Sequence, residues 1–198
     1  MSLINKILKE TFLIEGKNIG ILYHFTTFDR LLYILQSNLL KSVNGYRINN
    51  KIYYGISTTR NKNIKLNLNH SNELLFKFHV RIDLDGNLIS NNYKIIPYND
   101  FSHKTRTKNT ESEELIVTKQ GLTNLNKYII QVILPLKYIE YKNKNILFKI
   151  IELLQDKKIK FKLDFNGFQN DERYNEEADA YDLTIFTKDE LNYLQKFK

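Results

Sequence analysis

The sequence predicts an α+β fold in which several central strands are flanked by an early helix and a late helix. Two observations support this prediction. Short runs rich in Ile, Tyr, Thr and Val recur between polar stretches, which is the composition typical of strands. Apolar residues recur at helical spacing between Phe28 and Leu39, and a helix-capping pattern begins at Thr187.

Composition favours one domain with a substantial core. The chain has 198 residues, which predicts a single domain over 1–198, or one domain with a small appendage, and 42% of the residues are hydrophobic. The absence of cysteine excludes disulfides, thiolate metal sites and cysteine nucleophiles. Met1–Lys6 lacks the apolar core of a secretory signal, and no apolar run approaches the ~20 residues of a membrane span. We therefore expect a soluble cytoplasmic protein without a membrane partner.

The charge balance allows two explanations. Lys and Arg total 30 and Asp and Glu total 22, which gives a net charge of +8. Such an excess favours a polyanionic partner, such as a nucleic acid, a nucleotide or an acidic protein. The chain is also rich in Lys, Asn and Ile, a bias that an AT-rich genome produces through codon usage alone. The basic residues are scattered rather than clustered, so both explanations stay open.

The first part of the chain predicts a helix, a strand and a second helix. Residues 3–14 carry apolar positions near helical spacing, and Ile21–Phe25 is a compact apolar run that predicts a buried strand. The next helix should begin near Thr27, because Thr26 and Asp29 resemble a capping box with Asp in place of Glu. Its apolar face comprises Phe28, Leu31, Leu32, Leu35 and Leu39.

The middle of the chain predicts three strands and one exposed loop. Ile52–Thr59 is rich in Ile, Tyr and Thr, and 74–82 alternates over its second half, so both predict strands. Asp85–Asn87 has the composition of a turn. Residues 99–110 hold one apolar residue and predict a long exposed loop, which leads into a strand at Glu111–Val117. Long loops of this kind are often functional.

The last part predicts two strands and two helices. Lys127–Leu134 predicts a strand that ends before Pro135, and 146–154 is a helix-length run of good helix formers. Lys158–Leu163 alternates strictly, which predicts a strand with one basic, solvated face. Thr187–Glu190 matches a capping box that opens a final short helix.

Three short pieces contain the candidate functional residues. His24 lies, with Thr26, at the predicted N-terminal end of a helix, which suits a bound phosphate or carboxylate. Its ring is suited to donate a hydrogen bond to a ribose hydroxyl through one nitrogen while the backbone fixes the other, although a lone strand histidine is more often a buried residue bonded to a carbonyl. The second piece is Ser57-Thr58-Thr59, whose hydroxyls alternate between the faces of the predicted strand.

The third piece is an acidic cluster that leaves the candidate catalyst open. Glu114 begins the apolar run Glu114–Val117, so its carboxylate lies at the boundary between water and core. Glu111 and Glu113 are close enough to compete for the same role. Strand alternation puts these two on one face and Glu114 on the other. The ordinary role of such a cluster is an exposed, solvated edge.

In this order, the three pieces resemble the ADP-ribosyltransferase superfamily. Tyr23–Thr26 followed by a Leu-rich helix is similar to the first motif of DarT-type DNA ADP-ribosyltransferases and of ADP-ribosyltransferase-like proteins of bacteriophages. Tyr54–Thr59 resembles the aromatic-x-Ser-Thr-Ser motif of the toxin-like branch, with Thr59 in place of the last Ser. Glu114–Val117 resembles the catalytic glutamate followed by three aliphatic residues. The resemblance covers residues 21–135.

The resemblance implies split antiparallel β-sheets with flanking helices and an NAD cleft, completed by residues 136–198. It implies an NAD-dependent mono-ADP-ribosyltransferase, a glycosyltransferase that uses NAD as a substrate, needs no metal and modifies a nucleic acid or a protein. A phage-encoded member would act in the host cytoplasm. The implied catalyst is Glu114, or else Glu113. The implied NAD-binding residues are His24, Thr26, Tyr54, Ser57 and Thr58, and the implied target-binding loop carries Arg106 and Lys108. Arg60 and Arg81 are further candidates for binding the NAD pyrophosphate, which the motif does not fix.

Departures from the family pattern keep alternatives open. The toxin-like branch usually opens with Arg where this chain has His24. Glu111-Ser112-Glu113 resembles the paired glutamates of arginine-modifying members, whereas the aliphatic residues after Glu114 favour Glu114 and an acceptor such as a nucleobase or another side chain. Two other functions remain: an RNA 2′-phosphotransferase, which resembles the same fold and also consumes NAD, and an inactive binding or structural module.

Overall fold

The protein has a mixed α+β fold with a mostly antiparallel sheet and flanking helices, which confirms the predicted class at that level. The computed structural model describes residues 19–48, 51–60, 62, 80–97, 113–136, 139, 143–165 and 185–198. The predicted N-terminal helix at 3–14 and the predicted loop at 99–110 lie outside these residues. Split sheets and an NAD cleft stay predictions.

Strands and helices are interspersed along the chain. The strands are β1 (Ile21–Thr26), β2 (Leu39–Leu40), β3 (Val43–Ile48), β4 (Lys51–Thr59), β5 (Val80–Asp85), β6 (Lys94–Pro97), β7 (Glu113–Val117), β8 (Leu122–Thr123), β9 (Ile129–Pro135) and β10 (Phe161–Asp164). The helices are α1 (Phe28–Ser37), α2 (Gly86–Ser90), α3 (Lys144–Asp156) and α4 (Lys188–Leu194), with 3-10 turns at Leu125–Lys127 and Gln195–Phe197.

The chain divides into two compact units. Unit 1 holds the described residues within 1–24, 38–62 and 83–129, and unit 2 holds those within 25–37, 63–82 and 130–198. The expectation of a single domain over 1–198, with a core at 21–135, stays a prediction.

Unit 1 is built on antiparallel strands. Their order is β5-β1-β4-β7-β6, and β3 also pairs with β4. The β1–β4, β3–β4, β4–β7 and β6–β7 pairs are all antiparallel, and β2 and β8 form a separate antiparallel pair. Fully buried side chains such as Leu22, Ile56, Leu115 and Ile116 supply the core around these strands, which is the main source of their stability.

Two glycines allow close backbone approaches in unit 1. A Cβ at Gly86 would lie 2.6 Å from the carbonyl oxygen of Gly20, to which the Gly86 N–H donates a 2.9 Å hydrogen bond. This contact joins the start of β1 to the start of α2. A Cβ at Gly55 on β4 would lie 2.5 Å from the carbonyl oxygen of Ile116 on β7. Glycine at position 55 therefore allows β4 and β7 to pair closely.

Unit 2 combines helices with a parallel strand pair. β10 pairs in parallel with β9, and α1 packs against α3. Buried residues on facing sides of these helices include Leu31, Leu35, Leu147 and Ile151. An ion pair of 2.7 Å between Lys144 Nζ and Glu190 Oε2 joins α3 to α4. The described helices include none that is both long and apolar enough to cross a membrane.

The helix caps differ from the prediction by one residue at α1. The hydroxyl of Thr27, rather than that of Thr26, accepts the backbone N–H of Arg30, and Thr26 is the buried last residue of β1. The capping box of Thr187 and Glu190 at α4 is confirmed, because both of its hydrogen bonds are present.

One predicted turn is a helix start. Asp85 is the N-cap of α2, since its side chain accepts the Leu88 N–H at 2.9 Å. The prediction of a simple turn at Asp85–Asn87 was wrong, because a carboxylate followed by flexible residues serves a helix N-terminus as well as a turn.

Candidate active site

The three candidate pieces lie on three neighbouring strands of unit 1. Tyr23 on β1 pairs with Thr59 on β4, and Thr59 pairs in turn with Glu113 on β7. The next residues along the three strands are His24, Thr58 and Glu114, and Thr58 lies opposite Glu114. Directly opposed residues of an antiparallel pair project from the same face of the sheet. The sheet therefore brings together residues that are ninety positions apart in the chain.

Glu114 is a buried residue whose carboxylate and backbone carbonyl are held by two different groups. Its side chain is 8% exposed, and its Oε1 lies 2.7 Å from Nε of Arg60, whose side chain is 43% exposed. The hydroxyl of Thr58 donates a 2.9 Å hydrogen bond to the backbone carbonyl of Glu114, not to the carboxylate. Backbone and side chain of this glutamate are therefore held separately.

Burial dominates the electrostatics of Glu114. Removal of the carboxylate from water raises its pKa above the ordinary value of 4.5, although the charge of Arg60 and its hydrogen bond act in the opposite direction. A perturbed carboxylate with one specific charged partner is typical of functional sites, although structural ion pairs also produce it.

Arg60 contacts the Glu114 carboxylate at Oε1. Among the described residues, the buried side-chain polar atom without a hydrogen-bond partner is Oδ1 of Asn126. Oε2 of Glu114 therefore either reaches solvent or has a hydrogen-bond partner.

The imidazole of His24 is oriented by the neighbouring strand. Its Nδ1 lies 3.0 Å from the carbonyl oxygen of Ser57, so Nδ1 carries the hydrogen and donates it. Both the functional and the structural interpretation of His24 predict such a bond, and it determines the tautomer. In the neutral ring, Nε2 is then a hydrogen-bond acceptor, and it donates only when the ring is protonated.

The remaining candidates have different environments. Thr26 is buried and belongs to unit 2, whereas Tyr54 is exposed and lies four residues from Thr58 along β4, roughly 13 Å away. The backbone of Glu113 forms the first pair of β7, but its side chain is not described. Glu111, Arg106 and Lys108 lie outside the described residues. Within the described ranges, no three His, Asp or Glu side chains form a metal-binding group.

Sequence reasoning missed the pairing of Arg60 with Glu114, for which a signal existed. Alternation continued one residue past the end of β4 puts Arg60 on the same side as Thr58, and diagonal neighbours across antiparallel strands are within reach of long side chains. Once Thr58 is opposite Glu114, Arg60 is the diagonal neighbour. A second buried carboxylate, Asp83 on β5, was also missed, although an Asp between the apolar residues Ile82 and Leu84 was visible.

Comparison with known protein families and with curated proteins finds no match to this chain.

Proposed function

We propose that the protein is an NAD-dependent mono-ADP-ribosyltransferase in which Glu114 is the catalytic carboxylate. The observation that supports this proposal is the meeting of His24, Thr58 and Glu114 on adjacent strands, with Glu114 buried and its Oε1 held by Arg60. The same three pieces carry the motif resemblance to ADP-ribosyltransferases.

The chemistry needs few groups. The bond between C1′ of the ribose and the nicotinamide nitrogen breaks, and its electron pair leaves with nicotinamide, which becomes neutral. The positive charge that develops at C1′ is stabilised by the ionised carboxylate of Glu114 in a site of low polarity. An acceptor atom then bonds to C1′ and loses its proton to solvent. Positioning of the two reactants contributes the rest of the rate.

The neighbouring groups suit the supporting roles. Nε2 of neutral His24 would accept a hydrogen bond from a ribose hydroxyl, with Nδ1 fixed by the Ser57 carbonyl. Ser57 and Thr58 hold the strand pairs on either side of β4, and Arg60 keeps Oε1 of Glu114 in place. The net charge of +8 is compatible with an acidic acceptor such as a nucleic acid.

The proposal is tested with NAD carrying a label in its adenylate half, incubated with the protein and a cell lysate fractionated into protein and nucleic acid. We expect label transfer by the wild type, loss of transfer in Glu114→Gln, and retention in Glu113→Gln, the matched control one position away on the same strand. A wild type that releases no nicotinamide and labels nothing would contradict the proposal. Loss in the Glu113 variant alone would assign the chemistry to the other face of β7.

A non-enzymatic module is favoured by one specific observation. Arg60 already neutralises part of the charge on Glu114, as a structural ion pair does, and Thr58 bonds to backbone rather than to the carboxylate. If this alternative holds, Glu114→Gln lowers thermal stability and changes no NAD-dependent signal, because there is none.

A further inference from the structure

In unit 2, β10 is an edge strand among the described residues. Its one neighbouring strand there is β9, which it pairs in parallel with Phe161 opposite Val132. The N–H of Val132 donates a 3.0 Å hydrogen bond to the carbonyl of Lys160, so the peptide groups of Lys160 and Lys162 are directed toward β9. Those of Phe161 and Leu163 are directed to the outer side, where a further strand can pair with them.

One face of this edge carries lysines that are turned away from the core. Lys160, directly before β10, and Lys162 within it are exposed, whereas Leu163 is 1% exposed. Because side chains alternate along a strand, the two lysines share a face. Asp164 is on the same face at the end of β10 and already has an interaction partner, so the basic stretch ends at Lys162.

The opposite face of the edge is also flanked by lysines. The rings of Phe161 and Phe197 are in contact, with their centroids 4.9 Å apart. Phe197 lies between Lys196 and Lys198 in the chain, and both lysines are exposed. Nζ of Lys198 lies 5.9 Å from the ring centroid of Phe165, just after β10. Positive charge therefore lies on both faces of this edge strand.

This arrangement distinguishes between the possible partners. A second copy paired edge to edge would bring its own lysines next to Lys160 and Lys162, and like charges on adjacent strands are unfavourable. A nucleic acid would attract the lysines but leave the outer peptide groups of Phe161 and Leu163 without partners. An extended peptide with carboxylates at alternate positions satisfies both, because its backbone completes the ladder and its side chains face the lysines.

We propose that the outer edge of β10 is a docking site for an extended acidic segment of a partner protein. The segment adds a strand beside β10 and pairs its carboxylates with Lys160 and Lys162. Blocks of acidic residues are typically disordered and act as interaction tails, so their backbone is available for strand addition. The docking site uses no residue of the candidate active site and does not depend on the proposed function.

The first test measures binding of three labelled peptides to the full chain by fluorescence anisotropy at low salt. The first is a peptide of about eight residues that alternates Glu with Thr, the second has Gln in place of each Glu, and the third keeps Glu but carries methyl groups on alternate backbone nitrogens. We expect only the first to bind well, with about fivefold weaker binding for each backbone hydrogen bond that methylation removes. Equal binding of the methylated peptide would show attraction by charge alone and would overturn strand addition.

Lysine variants test the assigned side chains. Lys160→Gln combined with Lys162→Gln should weaken binding of the Glu peptide about 3- to 10-fold, the worth of two exposed ion pairs. Lys149→Gln, which removes an exposed charge from α3 of the same unit, should change the Kd by less than about twofold. Lys160→Glu combined with Lys162→Glu should reverse the preference, so that a peptide alternating Lys with Thr binds better. Wild-type binding by the double Gln variant, or tighter binding of an oligothymidylate than of the Glu peptide, would contradict the proposed partner.

Hydrogen exchange on the wild type tests the strand addition without any variant. The amides of Phe161 and Leu163 should exchange quickly in the free protein and slowly with the Glu peptide bound, whereas the Val132 amide should be protected in both states. Slow exchange of the two outer amides in the free protein at every concentration would mean that the chain covers its own edge. Protection that appears only at high protein concentration would mean that a second copy does so. Either result would overturn the docking site.

Discussion

The two units each contain an ion pair of the same length, but the pKa values of the two carboxylates are shifted in opposite directions. Arg60 lies 2.7 Å from Glu114, and Lys144 lies 2.7 Å from Glu190. The pKa of Glu114 is raised above 4.5, chiefly by burial. The pKa of Glu190 is lowered, chiefly by its hydrogen bond from Lys144 and then by the bond from the Thr187 backbone. The length of an ion pair therefore says little about what the pair does.

The difference lies in how many partners each carboxylate has. Glu190 closes a capping box, and Lys144 also donates to the carbonyl of Ile185, so this pair fastens the start of α4 to α3. Glu114 is buried, and within the described part of the chain its carboxylate forms an ion pair with Arg60 at Oε1. A carboxylate surrounded by donors stabilises structure, whereas a buried carboxylate with a single partner retains capacity for a ligand.

The largest expected effect is a loss of catalytic rate on removal of the Glu114 carboxylate, with removal of the Glu190 carboxylate as the comparison. We expect Glu114→Gln to lower the rate of nicotinamide release from NAD by about 10²–10³-fold, because a preorganised charge next to C1′ is lost. Glu190→Gln should leave the rate within about twofold, since it only loosens α4. Single-turnover kinetics with both variants measures this, and similar rate losses in both would remove the functional distinction between the pairs.

Disruption of the β4–β7 contact should destabilise these strands of unit 1 and leave α3 of unit 2 protected. Gly55→Val forces a side chain against Ile116 O and the Leu115 side chain, where a Cβ would lie 2.5 and 2.8 Å away, and should destabilise the fold by about 1–3 kcal/mol. Ile52→Val, at an exposed position of the same strand, should change stability by less than about 0.5 kcal/mol.

Urea unfolding gives the two free energies for these variants. Hydrogen exchange should show lost protection in β4 and β7 of Gly55→Val, with protection of α3 retained. Unaltered exchange in β4 and β7 would contradict the close approach at Gly55.

The two carboxylates should contribute opposite slopes to stability against pH. Because its pKa is raised, folded Glu114 binds a proton more readily than unfolded Glu114, so its contribution falls as pH rises from 4.5 through the raised value. Because its pKa is lowered, Glu190 contributes stability above 4.5 that is lost as pH falls through the depressed value.

Urea midpoints between pH 3 and pH 7 measure these slopes. Glu114→Gln should flatten the decline above pH 4.5, and Glu190→Gln should flatten the rise below it. If Glu114→Gln flattened the rise below pH 4.5 and Glu190→Gln flattened the decline above it, the assigned directions of the two pKa shifts would be wrong.

The smallest effect concerns the hydroxyl of Thr58. Thr58→Val leaves the carbonyl of Glu114 without its 2.9 Å donor and should cost about 1 kcal/mol of stability, whereas Thr58→Ser keeps the donor. Thr187→Ala should cost a similar amount through loss of the α4 cap. Of these changes, Thr58→Val alone should also slow nicotinamide release, by a few fold, through displacement of the β7 backbone. Equal rates of nicotinamide release in Thr58→Val and Thr187→Ala would show that Thr58 does not position Glu114.

Local patterns predicted several elements well. The alternation or apolar spacing in Ile52–Thr59, 146–154 and Lys158–Leu163 identified β4, α3 and β10, and the capping box identified α4. The strand β3 was not predicted, because Asn44 and Gly45 suggest a turn, whereas Gly45 adopts a positive φ next to a bulge within the strand.

The sequence predicted which residues belong to the candidate site, but not their burial or their partners. Local sequence puts Glu114 at the mouth of a strand, yet its burial depends on pairing with β4 and β6, which are distant in the chain. The partner of Glu114 depends on strand register, which single-sequence patterns do not specify when several registers keep the apolar faces aligned. For the same reason, nothing local marked Lys144 as the partner of Glu190.

Glu114 is held at two different points, by Thr58 on β4 and by Arg60 just after this strand. The Thr58 hydroxyl bonds to its main-chain carbonyl, and Arg60 contacts its carboxylate. A substitution at position 60 therefore alters the surroundings of the carboxylate directly, while the main-chain bond from position 58 is retained.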